Sequence, residues 1–438
     1  MKKIVISAVS VIIAFTIAAI VIINNGGDSN TLYLLNWGEY IDESLFDTFK
    51  EKTGIQVVQE CVTSSETMYQ KISAGTTAYD VAIPGDYMIT KLYNDNLLYK
   101  IDTTNYEHIK NAEFDDNLQA LRKTRMSETL EYSMPYLWGA YSIVYSTRSD
   151  ENEGVVETNG FKALFDKSLY NHTAKIGMYN TARWAVSAYY MSKGINPNDE
   201  TFVSDNNERQ SLIEGIKSAN FDMWGDDALK RKVACGDLDL CFTQLGDFFD
   251  AVYLGLEEGM GGDTGKEDLS NLKYNVYVPE NTAAFFDAMC IPKTSKNQEY
   301  ANMFIDFMLD PENAFQNATF IGYSPALKSV QEMYKTNSNF EYYGNVTLGD
   351  LTSMYKYYLN PLANVTDISK VSMLEPKESE YLTTCEAVIN QTKATVSENK
   401  ALGTTLCVIT LSTIILGTAA YITYVVYKKR KKNEDVRG

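Results

Sequence analysis

Residues Thr31–Tyr40, TLYLLNWGEY, decide the fold class of this chain. The first half of the stretch is apolar and rich in residues that suit a pleated surface, so it predicts a buried β-strand. Apolar residues at helical spacing follow over 41–50. Trp37, Glu39 and Tyr40 lie between the two elements, where open α/β sheets bind ligands, and their chemistry suits an organic cation. Alternatively, the two aromatic residues are core and Glu39 caps the helix.

Strands and helices continue to alternate after this stretch. The patterns predict a strand over 54–59, a helix over 65–74, a strand over 79–84 and a helix over 88–98. This order favours a parallel sheet with helices on its faces, and the tips of the first and third strands should lie close together. The residues that follow the third strand are Gly85, Asp86 and Tyr87.

A second α/β region is predicted further along the chain. Residues 133–146 predict two strand-like pieces, and the polar residues 147–160 predict a loop or linker. In the rest of the chain, strands are predicted over 174–178, 238–243, 273–278 and 283–291, and helices over 181–191 and 302–309, the latter stopped by Pro311. A chain of 438 residues with 45% hydrophobic residues can bury two cores.

Both ends of the chain predict membrane spans. The run 4–23 holds about 20 apolar residues after two lysines, which is enough to cross a bilayer. Since no small-residue cleavage site closes it, residues 1–28 predict a retained signal anchor. A second span is predicted over 402–427, followed by a basic tail over 428–438. The positive-inside rule puts both termini in the cytoplasm and the residues between the spans on the extracytoplasmic side.

Composition excludes several classes of function. A formal net charge of −18 repels nucleic acid, so a nucleic-acid partner is not expected. With only His108 and His172 in the chain and no CxxC pair, neither a metal site nor a redox motif is supported. How the six cysteines pair stays open. The glycine-rich segment 255–266 does not match a phosphate-binding loop and predicts a flexible surface loop.

Several motifs in this order resemble the extracytoplasmic polyamine-binding proteins of ABC importers: NWGEY (36–40), KTGIQV (52–57), SSETMYQK (64–71), YDVAIP (79–84), MPYLWG (134–139), FFDAMCIP (285–292) and ATFIGYSPA (318–326). The resemblance is strong over 31–330 and weaker over 331–390. It implies an α/β, two-lobed periplasmic-binding fold of type II, with each lobe a mostly parallel sheet flanked by helices. The lobes would comprise 29–142 with 287–330, and 143–286 with 331–398.

The resemblance also implies which residues hold the ligand. Trp37 and Tyr40 would pack on the methylene chain of a diamine or polyamine, and Glu39 would meet a nitrogen. The other implied ligand-binding residues are Tyr87, Phe285 and Tyr323 at aromatic or wall positions, Asp287 at the carboxylate that meets an ammonium, and Asp247 at an acidic position. No cofactor and no catalytic residue is implied.

Departures from the family pattern occur at four positions. Thr181 and Trp184 align where the family commonly has acidic residues, and Gln244 aligns where it usually has Trp. Gly85 replaces a usual Ser, although the neighbouring Asp86 could restore an acceptor. These changes make a short diamine, or a different amine, as plausible a ligand as spermidine.

The sequence therefore predicts a membrane-tethered substrate-binding protein, not an enzyme. It would capture putrescine or spermidine between two closing lobes and deliver it to the permease of an ABC importer. The alternatives are an amine-sensing extracellular receptor domain and a binding protein for another small cationic solute. The receptor is disfavoured because the residues after Lys432 hold no recognisable signalling domain.

Overall fold

A computed structural model describes residues 30–226, 228–257, 272–336, 341–343, 346–347 and 352–393. The predicted spans over 4–23 and 402–427, the basic tail and most of the segment 255–266 lie outside these residues. Within the described ranges no helix is both long and apolar enough to cross a membrane. The chain divides into two compact units, Met1–Gly160 with Asp227–Pro376, and Phe161–Asp226 with Lys377–Gly438.

The strands are β1 Thr31–Trp37, β2 Gln56–Val62, β3 Val81–Ala82, β4 Leu98–Tyr99, β5 Met134–Ser146, β6 Ile176–Tyr179, β7 Met223–Gly225, β8 Leu240–Gln244, β9 Tyr274–Tyr277, β10 Ala283–Met289, β11 Ile291–Pro292, β12 Ser324–Pro325, β13 Glu341–Tyr343, β14 Val346–Thr347 and β15 Ser372–Met373. The α-helices are α1 Ser44–Thr53, α2 Ser65–Ala74, α3 Asp86–Asn94, α4 Glu107–Asn111, α5 Asp116–Arg125, α6 Asp150–Asn159, α7 Lys162–Phe165, α8 Ala182–Ser192, α9 Thr201–Ser204, α10 Asn206–Ser218, α11 Ala228–Cys235, α12 Leu245–Glu257, α13 Gln298–Leu309, α14 Pro311–Ile321, α15 Lys328–Thr336, α16 Thr352–Leu359 and α17 over 379–393.

The first unit begins with a parallel sheet in the order β2-β1-β3. Leu34 of β1 pairs with Val81 of β3, so the expected meeting of the two strand tips is confirmed. The sheet forms here because the leucines of β1 are fully buried, and α1 packs on the neighbouring strand β2 and buries Leu45 and Phe49. Helix α1 begins a few residues later than predicted and ends at Gly54, whose φ of +74° suits glycine.

Strand β5 organises the rest of the first unit. It is one strand of 13 residues, all buried, where two strand-like pieces were predicted. It pairs antiparallel with β8, β9, β10 and β12, so the prediction of a mostly parallel sheet is wrong for this sheet. The fold is α/β with both parallel and antiparallel pairing. A register shift between Asp287 and Ala288 interrupts the pairing of β10 with β5.

One local prediction needs correction, and another is confirmed. The polar segment predicted as a loop over 147–160 is largely helix α6, because its acidic first turn complements the helix dipole and Val156 is fully buried. Pro311 does follow the end of α13, but it also occupies the first turn of α14, where a missing N–H costs nothing.

The second unit contains a parallel pair of strands, β6 and β7, with Tyr179 opposite Gly225. Helix α8 follows β6 directly, as the sequence predicted over 181–191. The core of the second unit includes Ile176 and Met178 of β6, which are fully buried.

No disulfide joins any of the five cysteines among the described residues. Cys61 and Cys235 are exposed, whereas Cys241, Cys290 and Cys385 are buried.

Candidate functional site

The end of β1 is fixed by its tryptophan. Trp37 is half-buried, and its indole N–H donates to the carbonyl oxygen of Ile83 at 2.8 Å. This bond ties the end of β1 to the residue that follows β3. The chain then turns through Gly38 and Glu39, both exposed, and Glu39 takes a left-handed conformation with φ +54°. Such a conformation is uncommon outside glycine and often marks a functional turn.

The turn delivers Tyr40 to the carboxylate of Asp287. The Tyr40 hydroxyl donates to Asp287 Oδ2 at 2.7 Å. Asp287 lies at the register shift of β10, a feature that often re-aims a side chain beside a binding site. Gly85 lies opposite Asp287, and a Cβ atom at that position would stand 3.3 Å from Asp287 Oδ1. Glycine at this position therefore keeps the second carboxylate oxygen uncrowded.

The environment of Asp287 favours a cation. Burial raises the pKa of Asp287 to about 6, and the hydrogen bond from Tyr40 only partly opposes this. Burial, together with the negative charge of Asp287, raises the pKa of Tyr40 well above its ordinary value. Among the described residues, no Lys, Arg or His forms an ion pair with Asp287. The carboxylate thus carries a desolvation cost that a bound ammonium could offset.

Aromatic rings surround this carboxylate and hydroxyl pair. The ring of Tyr40 meets Tyr136 and Tyr323 edge-on, with both centroid distances at 5.6 Å. Phe285 continues the wall at 6.4 Å from Tyr323. Negative ring faces beside a carboxylate attract organic cations. Trp37 and Tyr40 are half-buried, so neither is a fully enclosed core residue.

Sequence reasoning did not identify two residues that hold Tyr40 in place. Tyr136 donates its hydroxyl to the Tyr40 carbonyl oxygen at 2.9 Å, and Asn317 Nδ2 donates to that hydroxyl at 2.6 Å. Asn317 Oδ1 also accepts the backbone N–H of Asp42 at 3.0 Å. Tyr136 stands in the motif block over 134–139, and Asn317 directly precedes the block over 318–326, which was the available signal. Because β5 is buried on all sides, however, no alternation shows which way Tyr136 points.

Asp247 has a structural task that its sequence position did not reveal. Its Oδ2 accepts the Thr243 hydroxyl at 2.8 Å and the backbone N–H of Gln244 at 3.2 Å. This resembles a capping box, in which an acidic residue in the first helical turn satisfies the residue before the helix. The Tyr323 hydroxyl lies 3.3 Å from both Asp247 Oδ1 and Gln244 Oε1. Asp247 is thus linked to the aromatic wall through Tyr323.

Gly246 makes that link possible. A Cβ atom at this position would stand 2.1 Å from Cε2 of Tyr323, closer than any real contact. Only glycine lets the ring lie against the start of α12.

The remaining predicted residues lie in varied surroundings. The backbone N–H of Tyr87 donates to Asp86 Oδ1 at 2.7 Å, and the Tyr87 hydroxyl lies 3.5 Å from Glu66 Oε1. Thr181 and Trp184 belong to the second unit, where Thr181 is exposed before α8 and Trp184 meets Tyr179 edge-on at 5.2 Å. The structure brings together Tyr40, Phe285, Asp287, Tyr323, Gln244 and Asp247; the ligand roles of all these residues stay predictions. Among the described residues no group of three potential metal ligands occurs.

Comparisons with known proteins agree with this picture. The spermidine/putrescine-binding periplasmic protein of Escherichia coli K12 is 25% identical over 365 residues, covering 76% of this chain and 92% of that protein. The putrescine-binding periplasmic protein PotF of the same organism is 21% identical over 326 residues, covering 73% and 84% respectively.

A solved structure shows the same fold. The spermidine/putrescine ABC transporter substrate-binding protein PotD from Streptococcus pneumoniae, crystallised with calcium and HEPES, matches with a TM-score of 0.63 and 27% identity. The match covers 83% of this chain and 99% of that chain. The resemblance to the polyamine-binding proteins of ABC importers is therefore confirmed, and the type II periplasmic-binding fold with it. Solute-binding proteins are not enzymes, and neither is this chain. Since the family model for bacterial extracellular solute-binding proteins matches residues 44–342, the chain belongs to that family.

Proposed function

We propose that this protein captures a diamine or polyamine on the extracytoplasmic side of the membrane and delivers it to the permease of an ABC importer. The observation that carries the proposal is the half-buried Asp287 carboxylate, which is held by Tyr40 within an aromatic wall and has no cationic partner among the described residues. The names of the relatives, which bind spermidine or putrescine, support the same class of ligand.

The balance of energies explains why an ammonium suits this site. A buried carboxylate is costly unless it is paired, and an alkylammonium would pair with it while an aromatic face adds roughly 0.5 to 2 kcal/mol. The methylene chain of the ligand would pack on the rings of Trp37 and Tyr40. A neutral or anionic solute could not offset the charge of Asp287.

The number of carboxylates available to the ligand favours a diamine. Asp287 and Glu39 are the carboxylates left to meet nitrogens directly, because Asp247 already accepts hydrogen bonds from Thr243 and Gln244. Two carboxylates match the two ammonium groups of a diamine such as putrescine better than the three charges of spermidine. We therefore expect putrescine to bind more tightly than spermidine.

The proposal includes the predicted membrane spans over 4–23 and 402–427. Tethering would keep the receptor close to its permease and raise its effective concentration there. Delivery would follow the mechanism that the resemblance implies, in which ligand binding favours a closed state of two lobes.

Calorimetric titration of the full-length protein, freed of bound ligand, tests the proposal. We expect micromolar or tighter binding of putrescine, weaker binding of spermidine and spermine, and loss of at least about a hundredfold in affinity in Asp287→Asn, since a buried charge pair is lost. Glu51→Gln changes an exposed helical carboxylate and serves as the matched control.

Two results would contradict the proposal. If the folded protein shows no heat of binding with any of the three amines, its ligand is not a polyamine but another small cationic solute. Equal affinities of the wild type and Asp287→Asn would remove Asp287 from the site.

A further inference from the structure

The second unit places a polar side chain and an aromatic ring at the carboxyl end of its parallel strands. β6 and β7 lie side by side, and the pairing continues past β6, where Asn180 N–H donates to the Gly225 carbonyl oxygen at 2.6 Å. Asn180 follows β6 directly, and Trp224 lies one residue before the end of β7. Carboxyl ends of parallel strands are where α/β sheets bind ligands.

The chain's own ammonium occupies this place. Lys393, from helix α17, holds its Nζ 4.7 Å from the centre of the Trp224 ring and donates a hydrogen bond to Asn180 Oδ1. Phe221 meets Trp224 edge-on at 5.2 Å and helps to fix the ring. Burial lowers the pKa of Lys393, and among the described residues no carboxylate forms an ion pair with it.

An aromatic face with a carbonyl oxygen beside it is a recognition set for an alkylammonium. The ring quadrupole attracts the charge and the amide oxygen accepts an N–H, so neither interaction requires that the ammonium belong to the chain. Lys393 comes from a helix distant in sequence from both partners. Lys193 also stands over a ring, that of Tyr189 at 5.3 Å, but this pair lies at the end of a single helix.

We propose that Trp224 and Asn180 form an alkylammonium site that Lys393 fills in the empty protein, and that a free alkylamine takes the same place when the lysine side chain leaves. The inference is independent of the proposed function, because no residue of the first unit takes part. The second unit would thus have a cation site of its own, for which Lys393 and a free alkylamine compete.

The competition sets the expected magnitude. A group tethered beside its site acts at an effective concentration in the millimolar range or above. The Lys393 ammonium of the wild type should therefore compete strongly with free amines for the site. Removing the lysine ammonium should lower the amine concentration needed for half-occupancy by about tenfold or more.

Nuclear magnetic resonance of the indole N–H groups tests the proposal in the full-length protein. The chain has four tryptophans, and Trp224→Phe identifies the signal of Trp224 by its loss. The probes are n-butylammonium and putrescine, titrated into the wild type, Lys393→Met and the control Lys193→Met. We expect a saturable shift of the Trp224 signal in Lys393→Met at about a tenth of the concentration required by the wild type and the control.

The outcome separates this site from that of the first unit. Asp287→Asn combined with Lys393→Met should still show the shift of the Trp224 signal, whatever the first unit binds. If the Trp224 signal in Lys393→Met does not respond while the other indole signals keep their positions, the site is refuted. Equal responses of the three proteins would also refute it. Lys393→Gln, which retains a polar side chain, replaces the Met variant if the latter does not fold.

Discussion

The replacement Asp287→Asn should make the empty protein more stable while it removes ligand binding. Burial raises the pKa of the Asp287 carboxyl from the ordinary 3.8 to about 6, so the folded state carries an ionised group in an unfavourable place at neutral pH. Asparagine has the same shape and no charge, and its carbonyl oxygen can still accept the hydrogen bond from Tyr40.

The magnitude follows from the raised pKa. A difference of about 2 pKa units corresponds to about 3 kcal/mol of unfolding free energy, since one unit is about 1.4 kcal/mol. For a raised carboxyl pKa the folded state binds its proton more tightly than the unfolded state. Protonation of Asp287 therefore stabilises the folded state fully below about pH 4, and this stabilisation is lost as the pH rises through about 6. The advantage of Asp287→Asn should be largest above pH 6 and vanish near pH 4.

Chemical denaturation of the wild type and Asp287→Asn between pH 4 and pH 8 measures this difference, with Glu51→Gln as control. A second series contains putrescine at about a hundredfold over its dissociation constant, which should stabilise the wild type by about 2.7 kcal/mol and the Asn variant hardly at all. If Asp287→Asn is less stable than the wild type at pH 7.5, or if the difference does not depend on pH, the argument from desolvation is wrong.

The other predictions concern residues around Asp287. Asn317→Ala removes a buried amide with two hydrogen-bonded partners and should lower the unfolding free energy by about 2 kcal/mol. The control Gln316→Ala changes an exposed neighbour and should lower it by under about 1 kcal/mol. Chemical denaturation measures both losses, and equal losses would contradict the role of Asn317 in holding Tyr40. Gly246→Ala should displace the Tyr323 ring and weaken amine binding at least about tenfold in calorimetry, since the new Cβ would stand 2.1 Å from the ring. Gly154→Ala has open space around its Cβ and should bind amines as the wild type does, so equal affinities of both variants would refute the role of the close approach.

The sequence by itself determined the local elements and the family. The helix over 65–74 was predicted with its observed bounds, and the first strands and helices of the chain were found within a few residues. These segments succeed because their apolar periodicity is strong and because Ser64, Gly75 and Gly54 mark the helix ends with local chemistry. The family could be identified from the motif blocks, since the order of residue types is visible without coordinates.

Only the tertiary structure decided how the site is assembled. The bond between Tyr40 and Asp287 joins residues far apart in sequence, and it depends on a register shift in β10 that no pattern announces. The antiparallel pairing of β5 was missed because a strand buried on every side has no alternation to reveal its neighbours or its direction. Asp247 shows the physical reason most plainly: its carboxylate is visible in the sequence, but which hydrogen bonds already occupy its oxygens depends on where the folded chain places their donors.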